Sequence, residues 1–117
     1  MVKDLAFAAY YVKDVPAARR FYGEVLGLKP GDCFNDDWIE FDLGSTVFAL
    51  DGTGEHLGIT PGTSTGVVFE VDDVDAMRRR LVDAGIEATE VHDMPSCRVS
   101  FASDPEGNRF AIHQRKA

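Results

Sequence analysis

The chain has 117 residues, enough for one domain with a hydrophobic core of its own. Its 20 acidic residues outnumber its 12 basic residues, which gives a formal net charge of −8 at pH 7. A field of that sign repels phosphate backbones and anionic lipid, so we expect no nucleic-acid partner and no membrane partner.

The N-terminal residues lack the pattern of a signal peptide, and no apolar run is long enough for a transmembrane helix. We therefore expect a cytoplasmic protein. Cys33 and Cys97 stand apart in the sequence, without C-x-x-C spacing or a neighbouring histidine. They predict neither a metal site nor a redox pair.

The first two predicted elements are a strand and a helix. Residues 5–12 are apolar and rich in β-formers, which favours a strand covered on both faces. A helix is predicted over 15–26, because Asp14 can cap its first turn and Pro16 is well tolerated there. Gly27 suits the left-handed position that follows a helix.

A hairpin follows this helix. Residues 29–32 have the composition of a turn and 34–37 form a polar link. Two strands are predicted over 38–43 and 46–50, joined at a Gly-Ser pair. In the first of them the polar and large residues alternate with apolar ones, and one face carries Trp38, Glu40 and Asp42.

The second half of the chain repeats this order after a stretch over 51–65 that is rich in Gly, Thr, Ser and Pro. That stretch is a linker or a flexible lip over a site. The remaining predicted elements are a strand over 66–71, a helix over 74–84, and strands over 86–91, 98–102 and 109–114, the last two joined by a turn over 103–108.

An internal repeat organises these elements. The phrase VKDVPAARRFYGEVLG, which starts at Val12, returns as VDDVDAMRRRLVDAG from Val71. Each copy follows an apolar run and ends in a glycine, so each predicts a strand that leads into a helix. Two half-size modules cannot bury their apolar faces alone and must pack together. We expect one domain over 1–117, with modules over 1–53 and 66–117 and a linker over 54–65.

The chain resembles the vicinal oxygen chelate superfamily, which includes glyoxalase I, extradiol dioxygenases, methylmalonyl-CoA epimerase and bleomycin-resistance proteins. The motifs that carry the resemblance are VKDVPAARRFY from Val12, VLGL from Val25 and DPEGN from Asp104. The resemblance implies an α+β fold in which two βαβββ modules form a cup-shaped mixed sheet around a cleft. It also implies a homodimer.

Metal-dependent members of that family hold their metal with four ligands inside the cleft. The resemblance places these positions at Phe7, Ala49, Gly66 and Ala111. None of the four side chains is a donor for zinc, iron, nickel or manganese. We therefore expect no metal and no other cofactor.

Side chains that share the predicted cleft face are candidates for binding a ligand instead. They combine aromatic surface with acidic groups, which suits a flat organic molecule, neutral or cationic. The candidate binding residues are Phe7, Tyr11, Trp38, Glu40, Glu70, Arg98 and His113. Trp38 and Tyr11 are also typical of a core or a dimer interface, and the two glutamates are also typical of a solvated sheet face.

Three functions remain open at this point. The first is a metal-free small-molecule binding protein, similar to the bleomycin-resistance branch, that sequesters a compound without converting it. The second is a glyoxalase-, epimerase- or dioxygenase-type enzyme with displaced metal ligands, drawn from Glu40, Glu70, His92 and His113. The third is a degenerate scaffold that acts through protein contacts. No residue is assigned a catalytic role.

Overall fold

The computed structural model describes residues 1–117 and contains two four-stranded sheets, one from each half of the chain. The first half contributes β1 (Ala8–Tyr11), α1 (Val15–Arg20), β2 (Lys29–Phe34), β3 (Trp38–Asp42) and β4 (Val47–Asp51). The second half contributes β5 (Val67–Glu70), α2 (Val74–Asp83), β6 (His92–Asp93), β7 (Cys97–Ser103) and β8 (Arg109–Arg115).

The two sheets have the same topology. Their strand orders are β1-β4-β3-β2 and β5-β8-β7-β6. In each sheet the first strand runs parallel to the last strand of its module, and the other pairs are antiparallel. The predicted α+β fold of two βαβββ modules is confirmed, and no ladder joins the two sheets to each other.

Both helices begin as the repeat predicts. The side chains of Asp14 and Asp73 accept the N–H groups of Ala17 and Ala76, each at 3.0 Å. The first helix ends its α-helical part at Arg20 and continues as a π-helix over Phe21–Val25. The chain is therefore helical over most of the predicted range 15–26, but the second half of this helix is a π-helix rather than an α-helix.

Several predicted boundaries are wrong. Residues 29–32 are not a turn but the start of β2, whose residues are all exposed. Such an edge strand accepts Pro30 and needs no alternation of apolar residues, so its sequence does not look like a strand. The strand predicted over 86–91 is reduced to one bridge between Ala88 and Ala102, followed by β6. Residues before Ala8 form no strand.

One hydrophobic core lies between the helix-facing sides of the two sheets. Tyr22 is fully buried there, with its ring 5.0 Å from Phe48 and 6.4 Å from Phe69. Phe48 of the first sheet also packs directly on Phe69 of the second, at 5.3 Å. The two halves thus share their buried surface, as the repeat requires.

The turn between β7 and β8 fastens the second half to the start of α1. Glu106 accepts the backbone N–H groups of Lys13 at 2.7 Å and Asp14 at 2.8 Å. The hydroxyl of Tyr22 donates to Asp104 at 2.7 Å. This turn is the DPEGN motif, which therefore has a structural task in this chain.

No helix of the chain is both long and apolar enough to cross a membrane.

Candidate functional site

The candidate site lies on the sides of the two sheets that face away from the helices, which we call the first and second outer faces. In β3 and β4, the side chains of Ile39, Phe41, Phe48 and Leu50 are buried toward the core. Because successive side chains of a strand alternate between faces, their neighbours lie on the first outer face. These neighbours include Trp38, Glu40, Ala49 and Asp51.

Three predicted binding residues form one cluster on the first outer face. The rings of Phe7 and Trp38 meet edge to face, with centroids 5.0 Å apart. The indole Nε1 of Trp38 donates to Oε2 of Glu40 at 2.7 Å. The other carboxylate oxygen of Glu40 has no hydrogen-bond partner in the chain, so it is available to a ligand.

Tyr11 lies beside this cluster, since Tyr11 and Trp38 are both register partners of Asp51. A 3₁₀ turn over Gly54–Leu57 covers it closely. A Cβ at position 54 would stand 3.0 Å from Cδ1 of Tyr11, so only glycine fits there without displacing the ring. The segment predicted as a linker or lip is thus packed against this part of the outer face.

Glu70 and His113 form a second cluster. They lie on the second outer face because they alternate along β5 and β8 with Phe69 and Ile112, which are buried toward the core. Nδ1 of His113 lies 2.6 Å from Oε1 of Glu70, and the backbone N–H of Arg115 donates to Oε2 at 2.7 Å. The hydrogen bond from the backbone of Arg115 is the main cause that lowers the pKa of Glu70, and the bond to His113 adds to it. Both oxygens of this carboxylate therefore already have partners within the chain.

The predicted position of Arg98 in the cleft is wrong. Arg98 is the register partner of Gln114 and points to the helix side, where its Nη1 lies 2.5 Å from Oδ2 of Asp75 on α2. Hydrogen bonding to Asp75 also raises the pKa of Arg98. Ser100 shares this face and donates to the carbonyl of Thr89 at 2.6 Å. The polarity of Arg98 and Ser100 suggested the outer face of the sheet, but both side chains form hydrogen bonds on its helix-facing side.

Phe101 is a residue that sequence reasoning missed. It is the register partner of Ala111 on the second outer face, and 44% of its surface is exposed. Because side chains alternate along β7, a helix-facing Arg98 places Phe101 on the outer face.

Comparison with known proteins identifies the family. A sequence profile of the Glyoxalase/Bleomycin resistance protein/Dioxygenase superfamily matches residues 4–112. The chain belongs to this superfamily. No match was found among curated protein sequences.

Solved structures of the superfamily share the fold along the whole chain. TnmS3, described as an antibiotic binding protein from Streptomyces sp. CB03234, is 26% identical, with a TM-score of 0.82 over 98% of each chain. A superfamily member from Sphaerobacter thermophilus is 25% identical, with a TM-score of 0.82 over 97% of this chain and 98% of its own. Lactoylglutathione lyase from Agrobacterium tumefaciens is 22% identical, with a TM-score of 0.78 over 97% and 94% of the two chains, which shows a common fold.

The residues of this superfamily member do not fit the metal that the resemblance implies. Ala49 pairs with Ala9 in the first sheet, and Ala111 pairs with Val68 in the second, so the two alanines occupy matching places. Gly66 has a left-handed backbone, with φ of +100°, where few other residues are tolerated. No group of three or more His, Cys, Asp or Glu side chains is placed to hold a metal ion.

Proposed function

We propose that the chain is a metal-free small-molecule binding protein that sequesters a planar organic ligand, neutral or cationic, without converting it. The likeness to TnmS3, which is described as an antibiotic binding protein, supports an antibiotic-type ligand. The residues proposed to bind are Phe7, Tyr11, Trp38 and Glu40, because Glu70 and His113 lie on the second outer face and are hydrogen-bonded to each other.

The observation that carries this proposal is the cluster of Phe7, Trp38 and Glu40. Phe7 keeps 43% of its surface exposed, although it is a large apolar side chain. Its contact with Trp38 makes a continuous aromatic surface, and the carboxylate of Glu40 lies at the edge of that surface. A flat ring that stacks here gains aromatic contact, and a positive charge on the ring gains contact with the carboxylate.

The test uses proflavine, a planar cation, and acridone, a neutral ring system of similar shape. Trp38 is the only tryptophan of the chain, so quenching of its fluorescence reports binding at this cluster. We expect both compounds to quench it and proflavine to bind more tightly. Glu40→Gln keeps an acceptor for the indole but removes the charge, and it should abolish the preference for proflavine.

Glu90→Gln is the matched control, because Glu90 is exposed, makes no side-chain hydrogen bond and has the same charge. It should leave both affinities unchanged. Trp38→Ala should weaken both compounds when binding is measured by calorimetry. Full affinity in Trp38→Ala would show that ligands bind elsewhere and would refute the proposed site.

Metal content tests the other half of the proposal. Protein purified without chelator should contain no stoichiometric zinc, nickel, manganese or iron, and a full equivalent of any of them would contradict it. We further propose that residues 1–117 form a single domain and that the protein is a cytoplasmic homodimer. Light scattering tests the dimer.

A further inference from the structure

A cleft with a volume of about 530 Å³ lies between the two modules. The first module lines it with Leu28, which follows the first helix, and with Leu43 and Thr46 of the turn between β3 and β4. The second module lines it with Met77 of α2 and with the free edge of β5. A volume of this size is typical of small-molecule sites, which often lie where two structural units meet.

This cleft is on the core side of the sheets, opposite the two outer faces. Leu43 comes two residues after the buried Phe41, and Thr46 comes two residues before the buried Phe48. Because side chains alternate along a strand, Leu43 and Thr46 both point to the core side. The four positions at which the resemblance places metal ligands do not line this cleft. It is therefore a different place from the ligand cleft of the superfamily.

The walls of this cleft are mainly aliphatic. Leu28 and Met77 are partly buried and pack against the core, and Leu43 keeps 39% of its surface exposed. Phe69 is the only aromatic residue of the lining, and it is itself buried in the core. Each CH₂ group that enters such a cleft is removed from water, so the walls favour an alkyl chain over a planar ring.

The hydroxyl of Thr46 gives this cleft one polar point. It is buried and has no hydrogen-bond partner, which is true of no other buried nitrogen or oxygen atom of a side chain. A buried hydroxyl without a partner is unfavourable, and most buried polar groups in proteins are paired. Thr46 lines the cleft, and rotation about its Cα–Cβ bond moves the hydroxyl between staggered positions. A ligand whose polar end reaches Thr46 would supply the partner that the chain lacks.

The charge around the cleft favours a neutral polar end. No arginine, lysine or histidine lines the cleft, and Glu70 is its one charged residue. A ligand carboxylate would therefore be buried beside a negative charge without a cation. An ammonium group would find no free carboxylate oxygen either, because both oxygens of Glu70 are hydrogen-bonded, to His113 and to the backbone of Arg115. A hydroxyl or an amide needs neither.

We propose that this cleft binds an unbranched aliphatic amide or alcohol, with the alkyl chain against Leu28 and Met77 and the polar end on the hydroxyl of Thr46. The site lies on the opposite side of the sheets from the cluster that contains Trp38. It does not depend on the function proposed for that cluster.

The experiment compares octanamide with octanoate at pH 7, by calorimetry on the full chain. Octanamide should bind more tightly than octanoate, because it carries no charge. Hexanamide is shorter by two CH₂ groups and should bind roughly tenfold more weakly than octanamide, which corresponds to about 1.4 kcal/mol. Leu43→Ala should weaken both amides. Amide NMR shifts should fall on Leu28, Thr46 and Met77 rather than on Ala49 and Ala111.

Thr46→Val tests the role of the hydroxyl, because it removes this group at nearly unchanged volume. The hydroxyl has no partner in the chain, so the variant should be at least as stable as wild type in urea unfolding. Its affinity for octanamide should nevertheless fall by roughly fivefold. Thr60→Val is the matched control, since Thr60 is exposed, makes no side-chain hydrogen bond and lies outside the cleft. It should leave the affinity unchanged.

Three results would overturn the proposal. They are no binding of octanamide at millimolar concentration, equal binding of octanamide and octanoate, and NMR shifts centred on Ala49 or Ala111. An unchanged affinity in Thr46→Val overturns it as well. Trp38 begins β3, whereas Leu43 follows the end of that strand, so octanamide should leave the fluorescence of Trp38 unchanged. Quenching of Trp38 by proflavine is therefore independent of these outcomes.

Discussion

The buried hydrogen bond between Tyr22 and Asp104 should contribute measurably to stability. Tyr22 has no exposed surface and Asp104 only 4%, and their oxygens lie 2.7 Å apart. Tyr22→Phe removes this donor and leaves the carboxylate with the N–H groups of Glu106 and Asn108 and the side-chain amide of Asn108. A hydrogen bond to a charged group is worth about 1.5–3 kcal/mol. Because three donors remain, we expect a loss of about 2 kcal/mol.

Urea unfolding of both proteins, followed by circular dichroism, measures this loss. Tyr11→Phe is the control, since the hydroxyl of Tyr11 has no partner in the chain, and it should cost little. Burial and then the charge of Asp104 raise the pKa of Tyr22 in the folded state. The stabilisation that the neutral hydroxyl of Tyr22 provides is therefore complete below the unfolded pKa of about 10 and is lost progressively as the pH rises above that value. Wild type should thus lose more stability in alkali than Tyr22→Phe. A change below about 0.5 kcal/mol in Tyr22→Phe would refute this account of the contact.

Two further predictions concern single positions, and a third concerns the four positions at which the resemblance places metal ligands. The pKa of Glu70 is lowered in the folded state, so its contribution to stability is present above the unfolded pKa of about 4.3 and is lost as the pH falls. The unfolding temperature of Glu70→Gln should therefore fall less with decreasing pH than that of wild type. Gly62→Ala should destabilise more than Gly44→Ala in urea unfolding. Both glycines have a left-handed backbone, with φ of +85° at Gly62 and +86° at Gly44, but only a Cβ at Gly62 would clash, with the carbonyl oxygen of Glu106. Equal losses would show that the turn can move. The variant with the four changes Phe7→His, Ala49→Glu, Gly66→His and Ala111→Glu places two donors on each outer face. It should therefore bind zinc in calorimetry only if the two outer faces meet in the proposed homodimer, and histidine at 66 adds backbone strain.

The sequence predicted the fold because the repeat combines local and long-range information. Asp14 and Asp73 cap their helices as the pattern requires, and each strand before them is followed by a helix of the expected position. The edge strand β2 could not be predicted in the same way, because none of its residues is buried and its stability comes from backbone pairing with β3. The π-helical part of the first helix also leaves no sign in apolar periodicity.

The sequence could predict which side chains lie together in the candidate site only where a single strand decides which face of the sheet a side chain occupies. Trp38 and Glu40 are two residues apart on β3, so their common face follows from alternation, and the structure joins them by a hydrogen bond. Arg98 required knowledge of which face of β7 meets α2, and the residue that decides it, Asp75, lies on another element. Glu70 shows the same limit, since its carboxylate is occupied by His113 and by the backbone of Arg115 on a neighbouring strand. A charged residue on a sheet is free for a ligand only when no neighbouring strand or helix presents a partner. That condition holds for the unpaired oxygen of Glu40, so Glu40 is the charged side chain whose substitution should most directly affect binding.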